Sequence, residues 1–239
     1  MLKYIVVGVL LGTALFGFGG PPTQTDDTGT PGKGNWDINF LIMGQEGVHD
    51  HTLEAPIIDV NYGFSENTEF KMELVNADKY EYTHHERELF LETGLKWRFY
   101  AEETLSMSIF PQISYTKIDT HHEQIITFPF QLLYRFAQQW GVTLEGSYQI
   151  IDGNVLHSTE DRIELGAVLT YLIRHRHEIL LETREVSNVT YKNHFRTLLL
   201  GYKYPMTPNL GLVISVGDVI ENTKHEAGML YFAGLNIQF

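Results

Sequence analysis

"MLYFAGLNIQF", Met229 to Phe239, is the stretch whose reading decides the fold. Apolar side chains stand at every second position: Met229, Tyr231, Ala233, Leu235, Ile237 and Phe239. Gly234, Asn236 and Gln238 lie between the later ones. A period of two is the mark of a β-strand, whose side chains point alternately to opposite faces. Terminal segments of water-soluble proteins are usually polar and poorly tied down. This one is patterned to its last residue and finishes on an aromatic ring, so it needs a partner strand and an apolar medium for one face.

The same alternation recurs upstream. "RELFLETGLKWRF" (Arg87–Phe99) sets Leu89, Leu91, Leu95, Trp97 and Phe99 against Glu88, Glu92, Lys96 and Arg98. "DRIELGAVLTYLI" (Asp161–Ile173) sets Ile163, Leu165, Ala167, Leu169, Tyr171 and Ile173 against Arg162, Glu164 and Thr170. "GVTLEGSYQI" (Gly141–Ile150) does the same with Val142, Leu144, Tyr148 and Ile150. Twelve strands are predicted, at 35–44, 53–63, 67–77, 87–99, 104–117, 122–136, 141–152, 160–173, 177–187, 192–204, 209–220 and 227–239. Soluble sandwiches also alternate. Most of these segments, however, exceed the roughly five or six residues of a soluble strand and match the roughly 9–11 that cross a bilayer at a tilt.

An even count brings the first and last strands to the same side, where they can pair and leave no free edge in lipid. The predicted fold is therefore all-β: a closed antiparallel up-and-down transmembrane β-barrel of twelve strands over residues 35–239. Its connections alternate in kind. "FSEN", "AEE", "AQQW", "RHRH" and "MTPN" follow the even strands as tight links, whereas longer polar loops such as "QEGVHDHT", "ADKYEYTHHE" and "IDGNVLHSTE" follow odd ones. Short periplasmic turns and longer outer loops suit an outer-membrane barrel.

Trp36, Trp97 and Trp140 all fall at the short-turn end, with Tyr62, Phe99, Phe136, Tyr171, Tyr204 and Phe239. A general liking of aromatics for strands explains their number but not this gathering. Amphipathic rings collect where hydrocarbon meets water, so these nine are expected to form a girdle in contact with outer-membrane lipid.

The sequence opens with "MLKYIVVGVLLGTALFGFGG": one early cation, Lys3, an apolar run to about Phe18, and a small-residue close at Gly17-Phe18-Gly19. This is the layout of an export signal, and residues 1–19 are expected to be one. Residues 20–34, rich in Pro, Gly and Thr, could enter the lumen from the periplasmic side but read more naturally as an extended periplasmic linker. The chain contains no cysteine, so disulfides and thiolate metal sites are excluded. A net charge of −13 argues against nucleic acid as a partner, because its phosphates require a basic face.

"GGPPTQTDDTGTPGKGNWDINF" (Gly19–Phe40) joins Gly20-Pro21-Pro22, the pair Asp26-Asp27 and a Gly-rich step into a Trp-led strand. With "EAPIIDVNYGFSENTEFKMEL" (Glu54–Leu74) and "ETGLKWRF" (Glu92–Phe99), it resembles the bacterial outer-membrane family named for the MetA pathway of phenol degradation. Members often carry Pro after the paired Asp, where this chain has Thr28. The resemblance implies an outer-membrane barrel and a channel for aromatic compounds, without assigning catalytic or binding residues. A last strand ending in Phe is also similar to the C-terminal signal that the barrel assembly machinery reads.

Alternation turns a polar row inward. The expected lumen residues are Asp37 and Asn39 on the first strand, Asp59 and Asn61 on the second, and Lys71 and Glu73 on the third. Glu88, Glu92, Lys96 and Arg98 follow on the fourth, then Gln112, Gln131, Arg135 and Glu145. Arg162, Glu164, Glu178, Glu182, Arg184 and Lys203 complete the set. Twelve strands lie between barrels filled by side chains and wide porins. Charges of both signs suit either a narrow aqueous pore for small solutes or a sealed interior of ion pairs.

Nine histidines are expected in or beside the long loops: His49, His51, His84, His85, His121, His122, His157, His194 and His225. "THHE" occurs twice, so His84, His85, His121 and His122 are candidate ligands for a divalent metal, against the alternative of solvated loop residues. No other cofactor is indicated. A hydrolase is the third reading, but the sequence has no G-x-S-x-G and nothing converges on a nucleophile.

Overall fold

A computed structural model describes residues 21–47, 50–81, 84–118, 121–153, 161–174, 177–223 and 228–239. The expected export signal, 1–19, and His49, His157 and His225 lie outside the described residues. The strands are β1 (Trp36–Gly47), β2 (Asp50–Ser65), β3 (Thr68–Glu81), β4 (His84–Ala101), β5 (Leu105–Ile109), β6 (Gln112–Ile118) and β7 (His121–Ala137). They continue with β8 (Trp140–Gly153), β9 (Arg162–Ile173), β10 (His177–Asn188), β11 (His194–Thr207), β12 (Leu210–Asn222) and β13 (Gly228–Gln238). Each pairs antiparallel with its neighbours, and β1 pairs with β13, so the sheet closes on itself. Since β5 and β6 both lie between β4 and β7, they are two halves of one crossing, and the barrel has twelve crossings.

The closing seam answers to the pattern of the last strand. Asp37 faces Gln238, Asn39 faces Asn236 and Leu41 faces Gly234 across it. At its end, Trp36 N donates to Phe239 O at 2.7 Å and Phe239 N to Trp36 O at 3.1 Å.

Two expectations are corrected. The fifth strand, predicted unbroken over 104–117, is interrupted at Phe110-Pro111. Proline has no N–H to give the ladder. The backbone stays satisfied nonetheless, because Phe110 N donates to Pro129 O at 3.0 Å and Leu95 N to Pro111 O at 3.2 Å. The first four strands are also longer at the loop end than predicted. Gln45–Gly47 and Asp50–Thr52 belong to β1 and β2, and residues 78–81 and 84–86 to β3 and β4, although all were expected as loop. Backbone pairing does not depend on the apolar band, so the ladder runs on past it with polar side chains on the wall, as in His51 opposite Tyr80 and Tyr80 opposite His85.

Burial is inverted relative to a water-soluble protein. Outward Leu165, Trp97 and Leu200 are 57 %, 54 % and 54 % exposed, while inward Glu182 and Gln131 are fully covered. A wall that shows leucine outside and encloses carboxylates is stable only in an apolar surrounding. Among the described residues two apolar patches are nonetheless buried: Leu41, Ile57, Val75, Val213 and Phe232, with Met43 and Phe90 against them, and Leu199, Val219 and Leu230, with Phe195.

Candidate functional site

The lumen is built by the inward members of each alternating strand. On β1, β2 and β13 they form a net of amides and carboxylates at the short-turn end. Asn39 Nδ2 donates to Asp59 Oδ2 at 3.0 Å, Asn61 Nδ2 to the same oxygen at 3.1 Å, and Gln238 Nε2 to Asp37 Oδ2 at 2.9 Å. Carboxylates only accept, so these bonds fix which way each amide points. Further round, Ser108 Oγ donates to Gln131 Oε1 at 2.6 Å, and Gln131 Nε2 to Glu145 Oε2 at 3.0 Å. Arg184 pairs with Glu164 at 2.8 Å, Lys203 with Glu178 at 3.8 Å, and Lys79 with Glu88. Arg98 Nε donates to Asn67 Oδ1 at 3.0 Å at the turn-end rim. Glu73 and Glu92 stand opposite one another on β3 and β4, with Asp59 opposite Glu73 on β2. Arg135 and Arg162 are half-buried.

The largest departure concerns residues 21–34. Expected more as an extended periplasmic linker than as an occupant of the lumen, this segment makes its contacts within the barrel. The chain doubles back just before β1, where Gly32 and Gly34 take φ of +85° and +80°, a region closed to most side chains. Gly34 N donates to Gly63 O at 2.8 Å, and a Cβ on Gly63 would overlap the backbone oxygen of Gly32. Deeper in, Thr25 N and Gln24 N donate to the two oxygens of Glu182 at 2.6 and 3.0 Å, and Asp26 N donates to Glu145 Oε2 at 3.3 Å. Ser215 Oγ donates to Pro22 O at 2.9 Å. Gly166 leaves the room that Thr25 occupies, since a Cβ there would overlap Thr25 Oγ1.

Asp26 is the electrostatic anchor. Its Oδ2 lies 3.2 Å from Lys96 Nζ and 3.4 Å from Lys71 Nζ. Lys96, 2 % exposed, also holds Glu69 Oε1 at 3.2 Å. Both ammoniums stand over the ring of fully buried Phe110, at 5.6 Å for Lys71 and 5.2 Å for Lys96. Burial pushes the Asp26 carboxyl up, but Lys71 and Lys96 outweigh it and hold the group well below the usual carboxylate range. A cavity of about 360 Å³ beside this cluster opens at the turn end, lined among others by Asp26, Asp37, Asp59, Lys71 and Lys96.

Solved structures of the same shape are outer-membrane channels. The COG4313 outer membrane channel from Pseudomonas putida F1 superposes with a TM-score of 0.63 at 10% identity, over 91% of this chain and 100% of that one. The NanC porin gives 0.59 at 11% identity, covering 84% and 98%, and the KdgM porin 0.57 at 12%, covering 85% and 99%. The fold is that of an outer-membrane porin-like barrel. No family model and no curated protein matches the sequence.

The aromatic residues expected as a girdle pack in pairs around the turn end. Trp36 lies 4.6 Å from Tyr62, Trp140 4.5 Å from Tyr171 and 6.4 Å from Phe136, and Trp97 5.9 Å from Phe99, ring centre to ring centre. Tyr204 stacks with His177 at 5.4 Å, and Phe239 is exposed. At the loop end, His85 Nε2 lies 3.0 Å from Asp78 Oδ1 and His122 stacks on Tyr115 at 6.0 Å. The side chains of His84 and His121 lie outside the described ones. His51, Tyr80 and His85 form a stack across β2, β3 and β4, at 4.5 and 4.4 Å. Among the described residues, no group of three or more His, Asp or Glu is arranged to hold a metal. The docking of 21–34 had only a faint signal in the sequence: small residues at Gly63, Gly166 and Gly201 on inward positions of otherwise bulky strands.

Proposed function

We propose that this protein is an outer-membrane channel for passive uptake of small solutes, with its short turns, the start of β1 and the end of β13 at the periplasmic face. The observation that carries the reading is a polar, charged interior with an open cavity inside an apolar outer wall. Segment 21–34 narrows the path, and solutes pass beside it or after it shifts. The inward patch of Leu41, Ile57, Val75, Val213 and Phe232 supports hydrophobic or aromatic solutes, as does the resemblance to the phenol-degradation family. In the same reading, residues 1–19 are an export signal removed before assembly, and the strand ending at Phe239 is what the assembly machinery reads.

The docked segment also favours a second reading, a barrel sealed for conduction whose outer histidines, His84, His85, His121 and His122 among them, bind a divalent metal or a partner. Single-channel recording in planar bilayers separates the two. Discrete conductance steps support the channel, and consistent silence of the full chain favours the sealed form.

A further inference from the structure

Lys71 and Lys96 come from adjacent strands, and both ammoniums converge on one oxygen, Asp26 Oδ2. That oxygen belongs to the segment and not to the wall. The wall's own acids do not take its place: Lys96 keeps Glu69 at 3.2 Å, and among the described residues no wall carboxylate lies within ion-pair distance of Lys71. Asp59, Glu73 and Glu92 lie further off in its field. The pair is therefore a preformed seat for a carboxylate, floored by Phe110 and opening on the cavity at the turn end.

We propose that the Lys71–Lys96 pair is a binding site for small carboxylate solutes, and that Asp26 occupies it as an internal stand-in for them. The acids nearby are no obstacle, because a free carboxylate at this position meets the same field that Asp26 already meets. An aspartate side chain is an acetate group on a backbone, so acetate is the minimal competitor. Tethering gives Asp26 an effective concentration in the millimolar range or above. A competing solute must reach comparable levels, which suits a passive channel and makes the site weak by design. Displacement of Asp26 removes the charge anchor of the segment, so the solute that fills the seat also loosens the closure beside it. This rests on the reading of the lumen as a solute path, but the site can be tested without conduction.

The test uses the full chain folded in detergent micelles. Because the sequence has no cysteine, Thr25→Cys gives a single thiol on a fully buried position of the segment. Its rate of modification by a charged thiol reagent is measured in sodium acetate and in sodium chloride of equal ionic strength. The site predicts a rate about threefold or more higher in acetate once it matches the tethered group. It also predicts that Lys71→Gln and Lys96→Gln abolish the difference. Calorimetric titration of the unaltered protein with acetate gives a second readout, a saturable heat that Lys96→Gln removes. Equal rates in the two salts, together with no heat above the Lys96→Gln control, overturn the proposal and leave the channel reading standing. Acetate binding to a barrel that never conducts overturns the channel reading instead.

Discussion

Asp26 and Lys96 meet at 3.2 Å inside the barrel, a carboxylate from the inner segment against an ammonium from the wall. Removing one partner of a buried pair costs on the order of 3–5 kcal/mol when nothing replaces it. Here Glu69 remains beside Lys96, so Asp26→Asn is expected to weaken docking by about 1–3 kcal/mol. Limited proteolysis of the folded barrel should then cut within residues 21–34 faster than in the unaltered protein. Unchanged digestion would show that the pair does not hold the segment.

Gly166 lies where Thr25 packs, and a side chain there overlaps the threonine hydroxyl. Gly166→Val should therefore displace the segment while leaving the wall paired, because β-branched residues suit strands. Larger or more frequent conductance steps in planar bilayers are the expected result. A variant that conducts as before would mean that the segment does not limit the path.

The pH dependence of docking follows from the lowered carboxyl of Asp26. A group whose value is depressed on docking stabilises the docked state fully above its free value, about 4 for aspartate. That stabilisation is lost as the pH falls through the lowered value. Between neutrality and about pH 5 this group should cause no loosening, and its own contribution should be lost only below about pH 4. The modification rate of Thr25→Cys is compared across that range with and without Asp26→Asn; the part of the pH dependence that the substitution removes should lie below about pH 4, and a removed part above about pH 5 would contradict it.

Leu200 points outward from β11 and is 54 % exposed, so lipid must cover it. Leu200→Arg is expected to cost about 2–4 kcal/mol if the residue lies near the bilayer midplane. Reversible unfolding in lipid vesicles by guanidinium measures it. An unchanged midpoint would place water at that face.

Trp140 packs against Tyr171 with ring centres 4.5 Å apart and planes tilted by 34°, in the ring of aromatics at the turn end. Trp140→Ala should lose about 0.5–1.5 kcal/mol from the ring pair alone, with further loss from the interface. The same unfolding assay reads this, and Tyr171→Ala in the Trp140→Ala background should add less than it does alone.

Strand direction and closure were legible because alternation is local: each residue two positions on from another shares its face. The break at Phe110-Pro111 was legible in principle from Pro111, yet the inward phase at Ser108, Phe110 and Gln112 continues across it and hides the interruption. Strand ends were misjudged at the loop side because polarity there marks the limit of the apolar band and not the limit of backbone pairing. The inner segment was illegible for a different reason. Pro21 to Gly34 has no period of its own, and its order comes from Glu145 and Glu182, more than a hundred positions later in the sequence. A carboxylate that accepts a backbone N–H leaves no trace in the pattern of either partner.

The joint between Trp36 and Phe239 also has a consequence for manufacture. Because the first strand waits for the last, every unfinished copy of the chain presents two raw margins, and only the completed copy presents none. The segment that precedes Trp36 must find its way inside either before that joint zips shut or afterwards through the turn-end opening. Closing the sheet and seating the segment are thus two events at one place.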